Sequence, residues 1–128
     1  MVAGIVVAGL LFVVGLRTVF YLEHTEPQRR TKTIADLNTI EVALARFKDH
    51  CSRYPTTQEG IEVLLDANRC KPDTESYLVM LPVDPWGNRY VFVSDGTSYT
   101  LKSTGADGKD GGDGLNADIT SASEVTGR

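Results

Sequence analysis

The residues with the greatest capacity for chemistry lie between Ser103 and Ile119, which read STGADGKDGGDGLNADI. Asp107, Asp110, Asp113 and Asp118 alternate there with Gly105, Gly108, Gly111, Gly112 and Gly114, and Asn116 precedes the last carboxylate. The run is too rich in glycine for a helix and too polar for a buried strand. Like charges set this close repel one another, and a loop of this length needs something to hold it. A hard divalent cation meets both needs, because it takes carboxylate and carbonyl oxygens while glycine lets the backbone fold around it. The reading is therefore a calcium-ordered loop. A solvated, disordered acidic tail is the other reading that composition allows.

Spacing excludes two familiar calcium patterns. An EF-hand counted from Asp107 would place Lys109 at position 3 and Gly111 at position 5, where oxygen ligands are required. The repeat of calcium-binding β-helices fits GGDGLNADI poorly, since Asn116 replaces its aspartate and Asp118 takes the apolar position. One copy would in any case build no stack of repeats.

Other chemistry is thinly represented. His24 and His50 are the only histidines, and His50 adjoins Cys51 on a helical stretch, where consecutive side chains diverge. There is no G-x-S-x-G, HExxH or P-loop, so the chain is not read as an enzyme. Trp86 in DPWG is read as an anchor of a turn onto the core. With 13 Lys and Arg against 17 Asp and Glu, and no basic cluster denser than Arg29, Arg30 and Lys32, nucleic acid is not expected as a partner.

The elements that must position the loop begin with residues 1–22, whose first sixteen carry no charged side chain. As a helix, such a stretch spans roughly 33 Å and suits a bilayer core. No basic residue precedes it and no small-x-small cleavage site follows, so a retained membrane helix is expected rather than a buried core helix or a removed signal. Arg17 and Tyr21 suit the interface near one end.

Orientation signals conflict. Arg29, Arg30 and Lys32 after the span favour a cytoplasmic C-terminal part by the positive-inside rule. Cys51 and Cys70 point the other way: they are too far apart for a CxxC motif. A bond between them would close a loop worth about 3 kcal/mol in an oxidising compartment. Two buried free thiols remain the alternative.

Pro27 would kink a continuing helix or open a new one. The stripe Ile34, Leu37, Ile40, Leu44, Phe47 and Cys51 has helical spacing and is read as core. Pro55 ends that helix, and Thr56 with Glu59 forms a capping-box pattern predicting a second helix to about Asn68. Tyr77 to Leu81 is expected as a short extended segment before a turn-rich LPVDPWGN run. Residues 89–93 and 98–102 read as two strands of a hairpin, with Tyr90, Phe92, Tyr99 and Leu101 meeting the long helix.

Taken in order, RYPTTQEGIEVL, LPVDPWGNRYVF and STGADGKDGGDGLNADI resemble the major pseudopilins of type II secretion systems, over roughly residues 33–119. The resemblance implies an α+β, pilin-like fold: a long N-terminal helix, membrane-spanning in its first half, packed on a small antiparallel β-sheet with a calcium-ordered C-terminal loop. It implies a transmembrane half at 1–22, a periplasmic helix half at 23–52, a globular domain at 53–119 and a flexible tail at 120–128.

It also implies a structural subunit of the pseudopilus, in the inner membrane as a single-pass protein with its C-terminal domain in the periplasm. Its partners would be further copies of itself, other pseudopilins and the inner-membrane secretion platform. A non-polymerising, membrane-anchored calcium-binding adaptor or minor pseudopilin is the alternative. Calcium is the implied cofactor, with Asp107 and Asp118 as carboxylate ligands and Thr104 offering a backbone carbonyl. Asp110, Asp113 and Asn116 are further candidates. Counting back from Arg53-Tyr54-Pro55 sets Val2 where the family's N-terminal glutamate falls, so Met1 is expected to correspond to a position inside the family's mature helix.

Overall fold

A helix of 50 residues, α1 (Val2–Cys51), dominates the computed structural model and continues unbroken past Pro27. The described backbone comprises residues 2–72 and 75–121, with side chains described from Thr25 onward. The expected membrane-spanning stretch 1–22 therefore falls outside the described side chains. Among the described residues no helix is long and apolar enough to cross a membrane.

The second half of α1 is a helix for physical reasons visible in its sequence. Leu37, Ile40, Ala43, Leu44 and Phe47 recur at helical spacing and are all buried. Ion pairs of Glu26 with Arg29 at 3.0 Å and Lys32 with Asp36 at 2.5 Å brace its polar side. Hydroxyls of Thr31, Thr33 and Thr39 donate to carbonyls one turn back. The stripe begins one residue earlier than expected, at Thr33 (0% exposed), whereas Ile34 is 52% exposed. With Phe47, Leu44, Ile40 and Leu37 facing the core, the preceding contact falls four residues back at 33, and an apolar side chain at 34 is left on the outside.

Helix α1 stops where Ser52 takes a left-handed backbone (φ 59°) and its N–H closes on Lys48 O at 2.7 Å. The capping-box contacts then form as expected: Thr56 N–H donates to Glu59 Oε2 at 2.9 Å, and Glu59 N–H to Thr56 Oγ1 at 3.3 Å. The α-helix expected after them does not. A short 3-10 helix, Ile61–Leu65, takes its place. Gly60 at φ 68° breaks the helical path immediately after the box, and Glu59 is drawn sideways by Arg53 and Arg69. Tyr77 to Leu81 is likewise irregular rather than a strand.

Three antiparallel strands come next, in the order β1 (Val91–Ser94), β2 (Tyr99–Ser103) and β3 (Ile119–Thr120). The hairpin register pairs Phe92 with Leu101 and Ser94 with Tyr99; β3 pairs Thr120 with Lys102 and Ile119 with Ser103. Asp95 organises the hairpin turn by accepting the N–H groups of Thr97 and Ser98, each at 2.8 Å, which hold its carboxyl well below the usual carboxylate range. β3 has two residues and no sequence signal of its own. It corrects the expected domain end, because Thr120 lies in the sheet and Ser121 is buried rather than in a tail; residues 122–128 lie outside the described ones.

Between α1 and the sheet lies one core. Tyr90, Tyr99 and Leu101 from the sheet side meet Leu37, Ile40, Leu44 and Phe47, with Phe92 at the margin. Ile61 and Leu64 close one edge, and the rings of Tyr54 and Tyr99 meet edge to face at 4.8 Å. Tyr90 also donates to Asp36 Oδ2 at 2.9 Å; burial first, then that carboxylate, pushes its phenol well above its ordinary pKa. Cys51 and Cys70 are joined as a disulfide, with Cα atoms 5.2 Å apart, which ties the end of α1 to the chain beyond the 3-10 helix.

Candidate functional site

The loop from Thr104 to Asp118 leaves β2 and returns in β3, so sheet pairing fixes both of its ends. Its start is gripped by the DPWGN turn. Asp84, 2% exposed, accepts the N–H groups of Trp86 (3.1 Å) and Asn88 (2.8 Å) on Oδ1 and the Ser103 hydroxyl on Oδ2 at 2.7 Å. Ser103 Oγ in turn accepts Gly105 N–H at 3.2 Å, and Asn88 Nδ2 donates to Gly105 O at 3.0 Å. A buried carboxylate with donors on both oxygens is stable and rigid. Sequence reading took DPWGN as a turn and missed that its side chains hold the loop.

Within the loop the backbone folds on itself. Ala106 N–H donates to Leu115 O, Asp118 N–H to Gly111 O, and Asn116 N–H to Asp113 O at the start of a second 3-10 helix, Gly114–Asn116. The glycine requirement is sharpest at two places. A Cβ on Gly105 would stand 2.9 Å from Ala117 O and Asn116 O, and one on Gly112 would stand 2.5 Å from Asn116 O; both glycines have positive φ. From α1, Arg30 reaches Gly114 O at 3.4 Å.

The predicted ligands are distributed unevenly over this frame. Thr104 is buried beside Ser103. Asp107 is exposed and turns back to accept Lys109 N–H at 3.0 Å. Asp113 and Asn116 are exposed, Asn116 presenting its backbone carbonyl to Gly105 and Gly112. Asp110 and Asp118 are brought together, and the group between them is Lys102 of β2. Its ammonium donates to Asp118 Oδ2 at 2.7 Å and to Asp110 Oδ1. Asp110, then Asp118, raise the Lys102 pKa, and Lys102 lowers that of Asp118. Among the described residues no three His, Cys, Asp or Glu side chains converge as a metal cluster.

Asp118 Oδ1 is shut off from solvent with no hydrogen-bond partner. A buried carboxylate oxygen without a donor is costly unless a cation faces it. That oxygen, and the carbonyls of residues 116 and 117 that crowd Gly105 and Gly112 in the same loop, are hard oxygens of the kind calcium prefers. In donor type, the residues present fit that ion.

Elsewhere, Glu59 forms the densest ionic node among the described residues. Arg53 clasps it with two nitrogens, at 2.7 and 2.8 Å, and Arg69 adds a third contact at 3.0 Å. Arg53, then Thr56 N–H, hold its carboxyl well below the usual range. His50 Nδ1 lies 3.1 Å from the Tyr77 hydroxyl, and no cysteine is free to act as a nucleophile. The node and this pair secure structure.

Comparison with known proteins converges on one group. The family model "Type II secretion system (T2SS), protein G" matches residues 21–122. The chain is similar to the type II secretion system core protein G of Pseudomonas aeruginosa, with 39% identity over 104 residues, covering 74% of this chain and 73% of that one. It is similar to that of Vibrio cholerae at 37% identity over 105 residues, covering 77% and 71%. Among solved structures it resembles the major pseudopilin of the type 2 secretion system of enterohaemorrhagic Escherichia coli, with a TM-score of 0.64, 27% identity, and coverage of 77% of this chain and 87% of that one.

Proposed function

The chain belongs to the type II secretion system protein G family, and on that premise we propose that it is a structural subunit of the pseudopilus, polymerising through α1 to help export folded proteins. The family is a pilin-like component of a membrane-associated secretion machine rather than a known class of enzyme. The observation that carries the reading is the outer side of α1. One stripe of the helix is buried against the sheet, while Ile34 and Val42 stand 52% and 62% exposed. Apolar side chains left exposed on the outside of a long helix are suited to contact with a neighbouring helix of the same kind. Residues 1–22 would anchor the subunit in the inner membrane, and the disulfide accords with a C-terminal domain in the oxidising periplasm. Other pseudopilins and the inner-membrane platform would be its further partners.

The competing reading is a membrane-anchored module that does not polymerise. Amine-reactive crosslinking of membranes from cells expressing the full chain separates the two: a subunit gives a ladder of multimers, an adaptor gives monomers and mixed pairs.

Calcium would hold the terminal loop through Asp118, Asp107 and backbone carbonyls including that of Thr104, with Asp110, Asp113 and Asn116 as further donors. When bound, the ion supplies two positive charges to a loop carrying four aspartates. The chain's own residues prepare the loop for it: Asp84, Ser103 and Asn88 fix the entry, and Gly105 and Gly112 allow the close crossing. Full chain in mild detergent should melt at a higher temperature in calcium than in chelator, and Asp107→Ala should shrink that gap. Identical melting in both conditions would refute the clamp.

A further inference from the structure

Lys102 has no part in that ligand set, yet it holds the central position. It stands on β2, opposite Thr120 of β3, with its side chain 19% exposed. Asp118, 17% exposed, and Asp110, 81% exposed, both contact its ammonium. Only Asp118 Oδ2 is satisfied in this way, while Oδ1 of the same carboxylate stays buried without a donor. An ammonium and a divalent ion near one carboxylate repel each other strongly in a partly buried setting. They also compete for the same oxygens. The lysine's flexible stem lets its charge leave for water while its backbone stays in the sheet.

We propose that Lys102 is the loop's resident cation, bridging Asp110 and Asp118 when no metal is bound, and that calcium enters by displacing it. The proposal rests on the calcium reading of the loop. It assigns two closed states to one loop. In the metal-free state the chain supplies its own cation, and the sheet pairing of Lys102 with Thr120 keeps that cation in reach. In the loaded state the ammonium would turn out to solvent and the metal's charge would take its place beside Asp118. The loop therefore stays folded through a fall in calcium, and calcium binding is weaker than the bare ligands would make it. A bridge closed in about nine molecules of ten lowers apparent calcium affinity about tenfold.

The test uses the full chain in mild detergent, comparing wild type with Lys102→Met, with Lys102→Gln as a second neutral variant and Lys102→Arg as a charge-retaining control. Calcium affinity is measured by calorimetry, and melting temperature is measured in chelator. The expected result is a gain in calcium affinity of about tenfold in the neutral variants, together with a lower melting temperature in chelator; the arginine variant behaves as wild type. If wild type binds calcium and the neutral variants match it in affinity or in chelated melting temperature, displacement is wrong and the calcium reading stands. If no form binds calcium at millimolar concentration, the calcium reading falls and the exchange falls with it.

Discussion

Removing the Cys51–Cys70 link tests the fold at the point where helix and domain are tied together. The perturbation is the double substitution Cys51→Ala with Cys70→Ala, which leaves no unpaired thiol. The bond spans 19 residues of sequence. Closing a loop of that size removes about 11 cal/mol/K of entropy from the unfolded chain, or about 3 kcal/mol at 25 °C. The native state keeps most of its other restraints, because Leu64 remains buried, Leu78 N–H still donates to Leu64 O at 2.9 Å, and Glu59 still clasps Arg53. The variant should therefore fold but unfold more easily. Urea denaturation followed by the fluorescence of Trp86, the single tryptophan, reads this directly. The midpoint should fall by roughly 1–3 M, given an ordinary denaturant dependence for a domain of this size. Adding reductant to the wild type should reproduce the shift. A loss below about 1 kcal/mol would refute the reasoning, since loop closure alone demands more.

Phe47→Ala should cost about 3–5 kcal/mol, because Phe47 is fully buried and packs on Tyr77 with ring centroids 5.3 Å apart; thermal melting checks it. Glu59→Gln should cost about 1.5–3 kcal/mol at neutral pH, for loss of charge-assisted bonds to two arginines. The pH dependence has a definite sign. The Glu59 pKa is depressed from an ordinary 4.5, so its contribution is complete above that value and is lost as pH falls through the folded-state value. Below about pH 4.5 the gap between wild type and Glu59→Gln should narrow, and a gap that widens on acidification would contradict the assignment.

The sequence and the structure agree where one physical signal dominates. The helical stripe through Leu37, Ile40, Leu44 and Phe47 is legible because core burial and 3.6-residue spacing act together, and the β1–β2 hairpin because alternation and the Asp-Gly turn coincide. Agreement fails where a local signal is overruled by contacts distant in sequence. Thr56 and Glu59 form their box, yet Gly60 and the two arginines divert the next residues, Ile61–Leu65, into a 3-10 helix. β3 exists only because β2 offers an edge for it, so two residues with no strand pattern become a strand. At the candidate site, composition points to the acidic residues, while the groups that position them, Asp84, Asn88 and Lys102, look like an ordinary turn and an ordinary strand lysine. The meeting of Asp84 with Ser103, 19 residues apart in sequence, is a tertiary fact.

If α1 is an assembly surface, a charge at Val42 should disrupt it. Val42 is 62% exposed on the folded subunit, so Val42→Glu should alter stability by no more than about 0.5 kcal/mol. Buried between packed helices, the same glutamate would be strongly unfavourable. The decisive measurement is crosslinking of wild type and Val42→Glu side by side in membranes, with melting temperature as the control. Wild type should give a multimer ladder, and the variant should lose it at unchanged melting temperature. A ladder of equal strength from both chains, or none from the wild type, would contradict assembly through α1.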